Sequence, residues 1–475
     1  MKKLIRKNYV YAMIALWAVA CIAFFQFYYK YHFFYQEQNQ IFLMTWEYAR
    51  SYFSRPAWAA CLAGDFLTQF YYYLYAGPLI LTATLLTLGD IIRRSLQRAG
   101  IGRDASFGIA IIAMTLEAVC YFRTDFHLSS SIALIGGAAI YYACSFLIHR
   151  KPWLVWGTML IASVLTLWMF NIGIWIFLIL IFTDVLIKSR HDAIKPHFIA
   201  YIIPIMIVPL SFHAYTMNVN DIIFYPGIGK LSKPNFTLES NLAADNEYYF
   251  GNYNKVITMV EADKHPTPQM SFFYNLASAQ MGLLPENMLK QNSPQLGTFI
   301  HINQDTPILT IKMINELYWA LGDMTFTERA AMMANVFSPY NRNVRMIKRL
   351  AEANIVSGDS AAAYKYLSIL NNTLVYHKWA QMLMNGNMTI YKEKQKFINR
   401  KDTLRTSDDC RTILTELLES NKKNTIALDY LLCSDLLAHQ IGMFKKDYDK
   451  FGPSGNPLYQ QVLTFYQNNK PEQSK

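Results

Sequence analysis

Few ionisable side chains in the first half of this 475-residue chain are placed to do chemistry, and they gather in two short stretches. The first stretch holds Glu37, in "FFYQEQNQIF", and Asp65, in "GDFLTQF". The second, "YFRTDFHLSSS", sets Arg123, Asp125 and His127 at alternate positions, with Glu117 two turns earlier. Carboxylates and an imidazole are the groups that exchange protons with a reacting hydroxyl. Arg123 and Asp125 have a plainer alternative, a surface ion pair that contributes little. Glu37, set among Gln36, Gln38 and Gln40, reads either as a polar cap at an interface or as an acid facing a reaction chamber.

The surroundings of these groups are apolar. The chain is 53% hydrophobic and 16% charged, against about 25% charged in an ordinary soluble domain. The excess lies in the first half. Seven apolar segments, near 9–29, 70–89, 105–122, 130–148, 153–170, 172–187 and 197–217, have roughly the 20-residue length that crosses a bilayer. Only Asn171 separates the fifth from the sixth, so they form a tight outer hairpin or their limits are locally misplaced. Pro78, Pro204 and Pro209 fall inside spans, where neighbouring helices can satisfy freed carbonyls. Asp184 is explained by an i,i+4 pair with Lys188. An ionisable group at membrane depth is costly and is a functional candidate by default.

Lys and Arg bias sets the orientation. With a cytoplasmic N-terminus, the inner segments hold Lys2, Lys3, Arg6, Lys7, Arg93, Arg94, Arg98, Arg103, Arg150, Lys151, Lys188, Arg190 and Lys195. The outer loops hold only Lys30, Arg50, Arg55 and Arg123. An odd number of spans then puts residues 218–475 on the periplasmic side of the inner (cytoplasmic) membrane. Residues 1–217 carry 17 basic and 9 acidic side chains, so most of the net +11 belongs to membrane loops. No basic stripe with interleaved aromatics marks a nucleic-acid partner.

The expected architecture is all-α. A seven-span bundle over 1–217, with a first outer loop at 30–69, is followed by a linker at 218–237 and an extracytoplasmic helical-repeat domain at 238–475. Gly251, Gly282, Gly322 and Gly358 each punctuate a helix–turn–helix stretch. Their spacing scatters around the 34-residue tetratricopeptide period, so the domain is tetratricopeptide-like, with a concave face suited to a protein or peptide. Cys410 and Cys433 lie on helices near 409–421 and 424–438, level with each other in an antiparallel hairpin. Free buried thiols are the expectation, and a disulfide is the alternative that an oxidising compartment permits. His301, His377 and His439 are isolated, and no GxxxxGK[ST], GxSxG, HExxH or GxGxxG motif occurs.

The first outer loop is aromatic-rich and amphipathic in "IFLMTWEYARSYF", the pattern of a surface helix. With "YQEQ" after the first span, "GDF", and "FRTDFHL" before the fourth, residues 1–217 resemble the C superfamily of membrane glycosyltransferases. A second resemblance, in "FYQEQ", "GDFLTQF" and "RLAEAN", is to an uncharacterised family of Bacteroidetes membrane proteins, and it covers most of the chain. The first resemblance implies a transferase that uses a polyprenyl-phosphate sugar drawn from the membrane lipids. Glu37 or Asp65 would be the catalytic base, and Arg123 would pair with the phosphate. Asp125 and His127 would bind a divalent metal or orient the acceptor. The competing reading is a non-catalytic membrane anchor that displays a protein-binding scaffold.

Overall fold

The computed structural model describes residues 2–147, 152–189, 200–212, 215–291, 306–338, 342–387, 391–398 and 409–468. The side chains of 2–9, 152, 188, 189 and 291 are not described. Arg150, Lys151, Arg190, Lys195 and His301 lie outside the described residues, as does the Lys188 side chain. Among the described residues the chain is helical throughout, with no strand. It divides into two compact units, Met1–Glu37 with Ile41–Phe236, and Gln38–Gln40 with Thr237–Lys475.

The first unit contains α1 (Lys2–Phe27), α2 (Tyr31–Gln38), α3 (Trp46–Arg50), α4 (Trp58–Thr68), α5 (Ala76–Ala99), α6 (Arg103–Cys120), α7 (Leu128–Cys144), α8 (Pro152–Phe170), α9 (Gly173–Ser189), α10 (Ile203–Ser211) and α11 (Val219–Phe224). Three stretches, Val10–Phe27, Ala76–Ala99 and Trp153–Phe170, are long and apolar enough to cross a membrane. Leu128–Cys144, Gly173–Ile187 and Ala200–Ser211 are apolar but shorter. The α6 helix has 18 residues and carries Arg103, Asp104 and Glu117.

The second apolar segment differs from the expected 70–89. A 3-10 turn covers Gln69–Tyr72, and α5 then runs from Ala76 to Ala99. Pro78 explains the shift. It stands in the first turn of α5, where no backbone N–H has an intrahelical acceptor and its missing donor costs nothing. Pro204 likewise stands at the start of α10, and only Pro209 is interior.

Small residues set the helix crossings. A Cβ on Gly137 of α7 would lie 2.0 Å from the Gly173 carbonyl oxygen of α9. One on Gly173 would lie 2.2 Å from the Ala133 oxygen. The two backbones therefore touch, as they do at small-residue crossings in membranes. Asn171 makes the expected tight turn between α8 and α9 at a φ of 30°, a region asparagine tolerates. Its amide donates to the carbonyls of Ile222 and Tyr225. Of residues 218–237, expected as a linker, all up to Phe236 belong to the first unit.

The second unit is built of helix hairpins: α12 (Phe236–Tyr249) with α13 (Tyr253–Ala262), α14 (Pro268–Gln280) with α15 (Leu284–Gln291), α16 (Ile308–Ala320) with α17 (Met324–Phe337), and α18 (Val344–Ser357) with α19 (Ser360–Asn371). It continues through α20 (His377–Met384), α21 (Lys392–Gln395), α22 (Cys410–Ser420), α23 (Thr425–Leu437), α24 (Ile441–Phe451) and α25 (Pro457–Asn468). The four junction glycines, Gly251, Gly282, Gly322 and Gly358, all adopt φ between 71° and 88°. That left-handed conformation ends a helix without a Cβ penalty. Asp323, Asn343, Asp359, Asp409 and Asn424 cap the helices that follow them. Cys410 and Cys433 are free thiols, and burial pushes both up to about 12.

Candidate functional site

The outer-loop candidates sit on α2, on α4 and in the turn between α6 and α7. Gly64 and Ser129 bring two of these elements together, because a Cβ on Gly64 would lie 2.6 Å from the Ser129 amide nitrogen. That contact packs α4 against the start of α7. Asp65 follows Gly64, and His127 is the residue just before α7. Both are half-buried, so they are packed yet reachable. Burial pushes the His127 imidazole below its ordinary value, and the carboxylates of Asp65 and Asp125 pull it the other way. Residues from two separate loops thus share one electrostatic neighbourhood.

Asp65 ends a chain of hydroxyls. The Tyr52 hydroxyl lies 2.6 Å from Asp65 Oδ2. The Tyr48 and Tyr52 hydroxyls are 3.0 Å apart, and the Tyr48 hydroxyl is 2.6 Å from the Ile41 carbonyl oxygen. Each tyrosine brings one proton, so two protons serve three contacts. A proton arriving on Asp65 completes the chain: Asp65 donates to Tyr52, Tyr52 to Tyr48, and Tyr48 to Ile41.

Arg123 is engaged by its neighbour. Its Nε donates to Asp125 Oδ1 at 2.8 Å and its Nη2 to Oδ2 at 2.5 Å. The guanidinium holds the Asp125 carboxyl below the usual carboxylate range. The fork expected for a phosphate is therefore filled by this bidentate pair. Among the described residues, no group of three or more His, Cys, Asp or Glu side chains is arranged to hold a metal ion. Asp125 and His127 therefore do not belong to the divalent-metal set that the resemblance implies.

The amides around Glu37 have separate tasks. Gln36 Nε2 donates to the carbonyls of Thr124 and Phe126 at 3.2 and 2.9 Å, which fixes the turn carrying Arg123 and Asp125. Glu37 itself is buried, 3% exposed. Gln38 belongs to the second unit, where its Oε1 accepts from Arg345 at 3.0 Å and from Lys312 at 3.4 Å.

That contact leads to a buried ionic network that the sequence reading missed. Arg345, 1% exposed, forms a bidentate pair with Asp245 at 2.8 and 2.9 Å and also donates to Glu316 at 2.9 Å. Arg349 reaches Glu316 at 2.6 Å and Glu352 at 3.0 Å, and its guanidinium lies over the Trp319 ring. A signal was present: Arg345, Lys348, Arg349 and Glu352 recur at helical spacing on α18. Such a stripe usually faces solvent.

The network makes stability depend on acid. Burial pushes the Glu316 carboxyl up, but Arg349 and Arg345 outweigh it and hold it down to about 2. A depressed carboxyl contributes stability that is complete above the unfolded pKa of about 4.3 and is lost as pH falls through the folded value. Urea unfolding of the detergent-solubilised protein should therefore show stability falling between about pH 4.3 and 2. Glu316→Gln should start less stable and lose that contribution to the slope. An unchanged slope in the variant would remove Glu316 as its source.

Comparison with known proteins gives a family of unknown function. The chain matches the family model described as "Family of unknown function (DUF6057)" over residues 6–475, and it belongs to that family. No curated protein and no solved structure matches it.

Proposed function

We propose that this is an integral inner-membrane protein that transfers a sugar from a polyprenyl-phosphate carrier to an acceptor hydroxyl at the periplasmic face, with Asp65 as general base. The observation that supports the reading is the Tyr48–Tyr52–Asp65 chain, in which two tyrosine protons serve three contacts and a proton taken up by Asp65 would fill the third. His127, kept toward its neutral form by burial, stands beside that carboxylate as a second acceptor or an orienting group. Arg123 would meet a phosphate only by exchanging Asp125 for it. In this reading α1 and α5–α10 are the seven spans, and the hairpin unit is a tetratricopeptide-like domain that selects the acceptor.

The test is a deletion strain complemented with wild-type chain or with Asp65→Asn, compared by mass spectrometry of envelope glycans. At equal protein level, Asp65→Asn should lose the same species as the deletion, because a lost general base costs about 10²–10⁴-fold in rate. Full restoration by Asp65→Asn, or a deletion with an unaltered glycan profile, would end the transferase reading.

One observation favours the anchored scaffold as a second reading. Met332, Val336 and Phe337 are exposed together along α17, 45%, 60% and 49% accessible, in the hairpin unit. If the glycan profile is unchanged, this apolar strip is where a protein partner would be sought.

A further inference from the structure

The first unit contains a cavity of about 760 Å³, walled by α5, α6, α7, α9 and residues 223–231. Its size lies within the ~300–1,000 Å³ of small-molecule sites. Among the described residues the wall is apolar apart from Glu117 and Ser130, and no Lys, Arg or His lines it. Leu116, Phe224, Ile228 and Leu231 line it and are also 40–63% exposed, so its mouth is apolar too.

The two polar groups are not ordinary core residues. Ser131 donates to Glu117 Oε1 at 2.6 Å and is itself in contact with the Tyr121 hydroxyl at 2.7 Å. Ser130 is 2% exposed, and its hydroxyl has no hydrogen-bond partner among the described residues. A helical serine normally bonds back to the carbonyl four residues earlier. For Ser130 that carbonyl belongs to Phe126, and Gln36 Nε2 occupies it at 2.9 Å. An unpaired buried hydroxyl costs free energy unless a ligand meets it.

We propose that this cavity binds a neutral single-chain amphipath, its tail along the apolar wall and its hydroxyl head between Ser130 Oγ and the Glu117 carboxyl. The hydroxyl donates to one group and accepts from the other. An anionic head would stand beside Glu117 with no cation in the lining to offset it. An apolar mouth admits such a molecule from lipid rather than from water. The inference rests on the membrane reading and not on the transferase reading, so failure of the glycan test leaves it standing.

Native mass spectrometry of the full chain in detergent tests it, with 1-hexadecanol, hexadecyl phosphate and hexadecane as probes. The alcohol should form a one-to-one adduct at about tenfold lower concentration than either of the other two. Ser130→Ala, with unchanged thermal unfolding, should weaken the alcohol about three- to tenfold, the loss of one hydrogen bond, and leave hexadecane unaffected. A phosphate ester that binds as well as the alcohol would overturn the proposal. So would equal binding of alcohol and hexadecane, or no saturable alcohol adduct.

Discussion

Arg345→Leu should unfold the hairpin unit or bring it close to unfolding. The side chain is 1% exposed and answers two carboxylates, Asp245 and Glu316, with charge-assisted bonds between 2.8 and 2.9 Å. Removing one partner of a buried pair leaves the other charge uncompensated, at about 3–5 kcal/mol. Whole domains are stable by only about 5–15 kcal/mol. Arg345→Lys should recover part of the loss, since it restores charge but not the planar fork. Replacing Arg345, Asp245 and Glu316 together with apolar residues should recover more than Arg345→Leu alone, because no orphaned carboxylate remains in that trio, although Arg349 then keeps only Glu352. Thermal unfolding monitored by circular dichroism reads all three. A melt for Arg345→Leu within about 0.5 kcal/mol of wild type, the range of ordinary surface changes, would refute the network's role.

Gly137→Ala should cost the first unit stability, while Gly157→Ala should not. The added Cβ at 137 falls 2.0 Å from a backbone oxygen of α9, and no rotamer can relieve a clash between two backbones. The helices must part, which costs at least the upper end of the ~1–3 kcal/mol seen for overpacking. At Gly157 of α8 nothing lies within 4 Å of the new atom, so alanine gains about 0.5–1 kcal/mol from reduced backbone freedom. Opposite signs from the same chemical change are the expected result in a detergent-stability assay. The same sign at both positions would mean that the α7–α9 contact does not hold the unit together.

Much of the frame was legible because it rests on local rules. The segments near 105–122, 130–148, 153–170 and 172–187 became helices close to their expected limits, whereas α5 runs ten residues past its expected end and α10 spans only Ile203–Ser211 within 197–217. Asn171 was read as a tight turn because nothing else separates two apolar runs. Gly251, Gly282, Gly322 and Gly358 were legible as helix ends because only glycine accepts their left-handed φ cheaply. The start of α5 was misread by several residues, since apolar tyrosines before it look like span. Pro78 would have placed it, as a proline compatible with the first turn but not the interior.

The site was legible in residue type and not in partnership. Asp65 and His127 were singled out, yet Tyr52 was not, although it lies only 13 residues before Asp65. The approach of Asp65 to His127 depends on Gly64 of α4 lying against Ser129 of α7, a contact between helices that no periodicity reveals. The Arg345 network is further out of reach. Its members Gln38, Asp245 and Glu316 stand 307, 100 and 29 residues from Arg345, so charges that look solvated one by one become buried only when the chain has folded.

The transferase reading depends on which side of the membrane Asp65 faces. The direct measurement is labelling by a membrane-impermeant maleimide in intact spheroplasts, in a chain whose six native cysteines are replaced by alanine. Ser54→Cys, exposed between α3 and α4, and Ser357→Cys, exposed at the end of α18, should both label. Gly102→Cys, exposed in the α5–α6 turn, should label only after lysis. Labelling of Gly102→Cys in intact spheroplasts, with Ser54→Cys protected, would put Asp65 on the cytoplasmic side and contradict the account.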